Sequence, residues 1–447
     1  MKARLTGLEL ILALVAASLL SACASPAGPA LRQPHEAVRQ DYYAPEESEP
    51  PGRLPPDPLT PIEYLQLAFK RNPDLRAAFD RWQAALERVP QARAWEDPAL
   101  NFEYFIEQIS TRYQASLVQE FPAFGTLSRR EGQAAAEAQA AMHAFDAERF
   151  DLIERVLRAV HEYAYLARET EFTEENVRLL AGIESVANAR YRSGAAPFDD
   201  QLKVQIEQAR LADRLAALQA RRGVQSAELA ALLDGPPDEL LPWPKVVPSV
   251  PAPIDTDFLG DLLAELNPEL KAAADEIEAA RLGRDLARRA GWPGFMLGAS
   301  WEVMPGESGM DDESDVGLMA GITLPIWRGR IRAGVREADA MVQAATHERD
   351  GMRNRLRTEL SLAVFEYRDA ERRIDLYRNS LVPKAETALA VAQQAYAEGR
   401  TDFAAWVDAQ RTLLEFQLMA ERAMADREIA LADIGCCIGS LDIAIGK

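Results

Sequence analysis

Cysteine is nearly absent, with 3 in 447 residues, too few for a disulfide scaffold. Histidine is scarce, and its 4 copies are scattered, so no metal centre is expected. Basic charge is in deficit: 50 Lys+Arg face 70 Asp+Glu, for a net charge of −20. A nucleic-acid backbone needs a basic face, so nucleic acid is not an expected partner. After the N-terminal segment no run of eighteen apolar residues occurs, which leaves no candidate transmembrane helix. P-loop, nucleophile elbow, HExxH and CxxC patterns are missing too, so no enzyme, catalytic residue or cofactor is expected. What the chain does have is apolar side chains, at 48%, enough for a sizeable core.

The first residues read as an address. Lys2 and Arg4 precede an apolar stretch from Leu8 to Leu20, broken by Glu9, and Leu20-Ser21-Ala22-Cys23 follows. Residues 1–22 are expected to be a signal peptide, too short and too polar in its flanks to span. Leu20 to Cys23 resembles a bacterial lipobox, which makes Cys23 the expected lipid attachment site, acylated on thiol and amine. Ala24 stands where an inner-membrane retention signal would place Asp, so the outer membrane is the expected address. Residues 23–58 carry nine Pro and read as an extended, lipid-anchored tether. A second Pro-rich joint, with seven Pro from Pro236 to Pro253, sets an inter-repeat linker at 236–255.

These joints bracket two similar halves, 59–235 and 256–442, with 443–447 as a tail. Asn72-Pro73-Asp74-Leu75 returns 195 residues later as Asn267-Pro268-Glu269-Leu270, and Pro98 returns as Pro293 at the same offset. Tyr191-Arg192-Ser193-Gly194 returns 205 residues later as Tyr396-Ala397-Glu398-Gly399, as do Phe198 and Gln205 in Phe403 and Gln410. The drift falls where the second half has a longer loop, Pro305 to Ser314. Equal offsets with one localised insertion predict a duplicated unit.

Each half reads as helix, strand, strand, long helix, turn, helix. Residues 61–94 and 256–290 have a helical pattern and are stopped by Pro98 and Pro293. The period then changes to two. Leu100, Phe102, Tyr104 and Ile106 alternate with Asn101, Glu103, Phe105 and Glu107; Phe295, Leu297, Ala299, Trp301 and Val303 alternate with smaller or polar residues. Val316, Leu318, Ala320 and Ile322 continue this in a fourth strand, while residues 113–121 alternate less cleanly. Strands apolar on one side only, near 99–122 and 294–325, fit hairpins of a membrane barrel with a wet lumen. Four strands cannot close such a barrel, so several chains must share it; three copies supply twelve strands.

Residues 128–191 and 329–397 contain a single proline, Pro383. At about 1.5 Å rise per residue each predicts a helix on the order of 100 Å long. Apolar positions recur at three and four along them (Leu152, Val156, Val160, Tyr163; Leu356, Leu360, Val364, Tyr367), a coiled-coil-like seam. Return helices are expected over 199–234 and 402–434. Gly194 and Gly399 suit the positive φ of helix C-caps, and Asp402 suits an N-cap. Cys436-Cys437 reads as a free, partly buried pair, since neighbouring cysteines bridge only with strain.

Lipobox, duplicated halves, Asn-Pro-Asp/Glu-Leu, Tyr-x-x-Gly turns and Asp408-Ala409-Gln410 together resemble the TolC-like outer-membrane efflux proteins, over residues 59–442. The resemblance implies a mainly α chain with a membrane β-barrel part: a homotrimer with a twelve-strand barrel and a twelve-helix periplasmic α-barrel. It implies tips, at Gly194 and Gly399, that contact a periplasmic adaptor (a membrane fusion protein). That adaptor would link the duct to an inner-membrane pump of the resistance-nodulation-division type. A periplasmic gate carries over onto Tyr396, its carboxylate partner Asp200, and Asp408, which rings the pore entrance. The second ring position is Ala405 and the gate arginine position is Thr401; Arg400, one place away, is the nearest substitute. Glu120-Phe121-Pro122-Ala123-Phe124-Gly125 is similar to members that serve heavy-metal and cation efflux.

The expected function is therefore a passive outer-membrane channel of a tripartite efflux pump, with metal cations as a candidate cargo. The alternative is a lipid-anchored periplasmic coiled-coil adaptor or scaffold, which would lack the alternating strands.

Overall fold

The computed structural model describes residues 28–43, 54–106, 111, 113–194, 196–246, 254–304 and 313–446. Cys23 and its lipobox lie outside them. The chain is mainly helical. In order it runs α1 (Gly28–Tyr42), α2 (Pro61–Arg71), α3 (Pro73–Arg93), β1 (Ala99–Tyr104), β2 (Tyr113–Phe121), α4 (Thr126–Arg192) and α5 (Phe198–Leu232). It continues with α6 (Thr256–Leu266), α7 (Pro268–Arg289), β3 (Gly294–Met304), β4 (Glu313–Thr323), α8 (Arg328–Ile374), a π-helical segment (Asp375–Leu381), α9 (Val382–Ala397), α10 (Phe403–Ile438) and α11 (Leu441–Ala444). These elements fall into two compact units. One collects the described residues of 1–41, 79–145 and 269–352; the other those of 42–78, 146–268 and 353–447.

The first unit holds one antiparallel sheet in the order β1-β2-β3-β4. Each hairpin pairs internally, and β2 joins them through Tyr113 opposite Val303 to Phe121 opposite Phe295. The sheet turns large apolar side chains outward: Phe102 is 67% exposed and Leu318 85%, with Leu100, Leu297, Val316 and Ile322 beside them. An outward apolar face is costly in water and natural in lipid. The adaptor alternative, which expects no alternating strands, does not describe this chain.

The tether reading of residues 23–58 needs correction. Gly28–Tyr42 is a helix that tolerates Pro34 inside it. Its His35 stacks on Phe79 at 4.1 Å and meets the edge of Trp82 at 4.9 Å, contacts that offset part of the proline penalty. The helices expected over 61–94 and 256–290 are each broken, at Asn72 and Asn267. A proline after each Asn disfavours the helical region for it, and both hold φ −57°, ψ 123°. Each side chain then reaches the last turn of the final long helix of its own half: Asn72 Nδ2 donates to Leu232 O at 3.2 Å, and Asn267 Nδ2 to Cys437 O at 2.8 Å.

The second long helix also departs from expectation. Pro383 has no N–H to donate; the chain widens into the seven-residue π-helical segment before it, where the Val382 N–H reaches Tyr377 O. The Pro-rich joint is pinned at its start. Leu241 is buried, its carbonyl accepts from Tyr163 Oη at 2.7 Å, and its N–H donates to Ser226 Oγ at 2.8 Å. At the other end α11 crosses the expected tail boundary at 443, because Ala444 packs on Gly435.

Candidate functional site

Two turns of the second unit have matching backbones. Gly194 sits at φ +75° and Gly399 at φ +73°, conformations that L side chains rarely adopt. The Gly194 N–H donates to Tyr191 O and the Gly399 N–H to Tyr396 O, both at 3.0 Å. Asp402 then caps α10, accepting from the Ala405 N–H at 2.9 Å. The α5 start has Pro197 in the capping position with no side-chain bond, and Asp199 and Asp200 in the first turn, where carboxylates favour the helix dipole.

Beneath these turns a compact core forms from α4, α5, α9 and α10: Leu180, Ile183, Val204, Tyr396, Phe403 and Trp406 belong to it. Tyr396 is only 2% exposed. Its ring packs near Phe403 at 5.3 Å and Trp406 at 5.4 Å. Its hydroxyl donates to buried Asp200 Oδ2 at 3.2 Å. Burial, and then the Asp200 carboxylate, push the tyrosine pKa up to about 12, so the phenol keeps its proton and remains the donor.

Of the five expected gate and tip residues, Tyr396 and Asp200 are thus in contact, with the Gly399 turn following Tyr396 and the Gly194 turn between α4 and α5. Asp408 is not part of that contact. It lies on the exposed side of α10, and its carboxylate adds to the negative field around Arg411. Arg400 ion-pairs with Glu398 on its own turn.

The arginine that holds the tyrosine comes from the other half. Arg190 sits over the Tyr396 ring, 4.5 Å from its centroid, and donates to the Tyr396 carbonyl. The sequence carried no sign of this, since Arg190 is one of several arginines near that turn and only the chain crossing selects it. Further along, Arg411 pairs with Glu207, whose pKa its guanidinium holds down. Gln410 Nε2 donates to Asn176 Oδ1 in the buried interior, and Arg214 pairs with Glu169 at 2.8 Å. These cross-links join α4, α5 and α10.

The cysteine pair has no comparable geometry. Burial pushes the Cys436 thiol up, and Cys437 Sγ donates to Leu356 O at 3.4 Å. Among the described residues no group of three His, Cys, Asp or Glu is arranged to hold a metal.

Residues 64–235 and 259–440 each match the outer membrane efflux protein family. The chain belongs to that family. No curated protein matches it. Its fold is similar to that of CusC, with TM-score 0.74 and 17% identity over 89% of this chain and 99% of that one. VceC, an outer membrane protein of Vibrio cholerae, is similar at TM-score 0.72 and 20% identity, over 85% and 96% of the two chains. The MtrE outer membrane channel of Neisseria gonorrhoeae, in its open state, is similar at TM-score 0.71 and 18% identity, over 87% and 90%. At these identities the likeness speaks for the fold, and the family match for the outer-membrane efflux role.

Proposed function

We propose that this efflux protein is a passive, homotrimeric duct, lipid-anchored at Cys23, built from two copies of one structural unit. The observation that carries the trimer is the sheet: four strands with an outward apolar face and, among the described residues, single-sided pairing at β1 and β4. Open edges this long invite pairing with another chain, and β1 of one copy against β4 of the next closes twelve strands. The helices α4, α5, α9 and α10 and their Gly194 and Gly399 turns would then form the periplasmic tips that meet an adaptor, which links the duct to an inner-membrane pump of the resistance-nodulation-division type.

Tyr396 and Asp200 act as the gate in this reading, tying α9 to α5 across a buried hydrogen bond. Threefold symmetry turns exposed Asp408 into a ring of three carboxylates, which favours cations; metal cations are the cargo class it suits. The duct catalyses nothing, because a water-filled path lowers the solvation barrier while the pump supplies the energy. Single-channel recording in planar bilayers tests it. Wild type is expected to rest mainly closed, and Tyr396→Phe with Asp200→Ala to open more often. A protein that forms no channel in any variant overturns the duct; an unchanged double mutant overturns the gate alone.

A further inference from the structure

The first unit carries an arginine surface that the duct reading leaves unused. At the helix-bearing end of the sheet three elements converge: the start of α4, the end of α7 and the start of α8. Arg289 caps this junction, donating to Phe124 O, and a Cβ on Gly125 would stand 3.1 Å from its Nη1. Arg129 reaches Asp285 at 2.8 Å. A Cβ on Gly291 would stand 3.5 Å from Ile331 and 3.8 Å from Arg328 Nη1. Arg288, Arg328, Arg330 and Arg332 are all exposed on this end.

The charge is local and against the trend of the chain. From Val316 to Arg336 there is no Asp or Glu, while Arg328, Arg330, Arg332 and Arg336 all occur, in a protein of net charge −20. The first turn of α8 holds no acidic residue; a helix start disfavours cations, so helix stability does not explain them. Directly beside them lies an exposed aromatic band, with Trp292 at 62% and Trp327 at 72% exposure, and Trp95, Phe124 and Ile326 nearby. Aromatic girdles mark the level of lipid headgroups. In sequence the segment between β3 and β4 is acidic, with Glu307, Asp311 and Asp312, while that between β1 and β2 is neutral, Glu107 against Arg112.

We propose that this collar binds anionic phospholipid headgroups of the periplasmic leaflet, such as phosphatidylglycerol, with Arg328, Arg330 and Arg332 as the principal contacts. The inference rests on the sheet being membrane-embedded with its helices on the periplasmic side. Apolar band and arginines then meet acyl chain and phosphate in the right order, and a guanidinium pairs with phosphate bidentately.

Full-length protein reconstituted with brominated phosphatidylglycerol or brominated phosphatidylethanolamine provides the test, read by quenching of its tryptophans. Each juxtamembrane arginine contributes about fivefold in binding, so phosphatidylglycerol should be preferred by about tenfold or more. Half-molar salt, or Arg328→Gln with Arg330→Gln and Arg332→Gln, should bring the preference near one. The corresponding triple Lys variant should retain most of it, which separates charge from folding. Quenching by both lipids without preference, or a preference that survives the Gln variant, overturns the collar and leaves the membrane sheet standing. No quenching by either lipid overturns the membrane placement, and the collar with it.

Discussion

At the level of single residues, the proposed gate rests on one hydroxyl. Tyr396→Phe removes a bond to a buried carboxylate, and about 0.5–1.5 kcal/mol per protomer is the expected loss. Asp200→Ala leaves the tyrosine hydroxyl without its acceptor and should cost as much or more. Single-channel open probability should rise in both, and thermal unfolding in detergent should shift down. Asp408→Ala should instead leave stability unchanged and weaken block by multivalent cations, because its carboxylate is exposed and outside that hydrogen bond. A second residue gives a pH dependence. Burial, reinforced by Glu154 and Glu366, raises the Asp433 carboxyl to about 6, although Arg158 bonds it at 2.8 Å. Desolvation of the charged form wins over that pairing. The native state therefore binds this proton more tightly than the unfolded chain, and stability should fall as pH rises from about 4 to about 6. Asp433→Asn should flatten that part of the stability curve, measured by thermal unfolding across pH.

At the level of elements, alternation along the strands decides which face tolerates charge. Arginine at Phe102 or Leu297, both outward, should cost about 2–4 kcal/mol near the bilayer midplane. Arginine at Asn101 or Ser300, on the other face, should be much milder; folding yield into vesicles checks the contrast, and equal tolerance would argue against a lipid-facing sheet. The helical breaks follow a rule just as local. Asn72→Ala and Asn267→Ala should each destabilise by about 0.5–1.5 kcal/mol, since each removes a part-buried hydrogen bond to the last long helix of its half. Thermal unfolding should show similar losses from both, as expected if the two Asn do the same work.

At the level of the whole molecule, what one chain exposes is what the assembly must cover. The sheet has two edges and an apolar face, and neither suits an isolated chain in water. Cysteines placed at facing positions of β1 and β4 should cross-link copies into trimers on a denaturing gel. Cross-linking that stops at dimers would refute the threefold arrangement. Intact mass of the mature protein should show a diacylglyceryl group on Cys23, and Cys23→Ser should abolish it.

Much of this was legible along the chain because it depends on short-range rules. Period-two alternation marked three strands clearly and the one at 113–121 less cleanly, Gly194 and Gly399 marked turns that need positive φ, and Asn-Pro pairs marked equivalent points in two halves. The family match falls on the same two stretches. Other features needed the folded chain. The helix at Gly28–Tyr42 escaped notice because proline content signals extension, whereas contacts of His35 with Phe79 and Trp82 stabilise a helix there. The π-helical segment escaped because one proline in a long apolar repeat gives no measure of how its missing hydrogen bond is absorbed. Arg190 and Tyr396 are 206 residues apart, and Arg129 of α4 and Asp285 of α7 are 156 apart. Such contacts depend on where long helices cross, which tertiary packing alone sets.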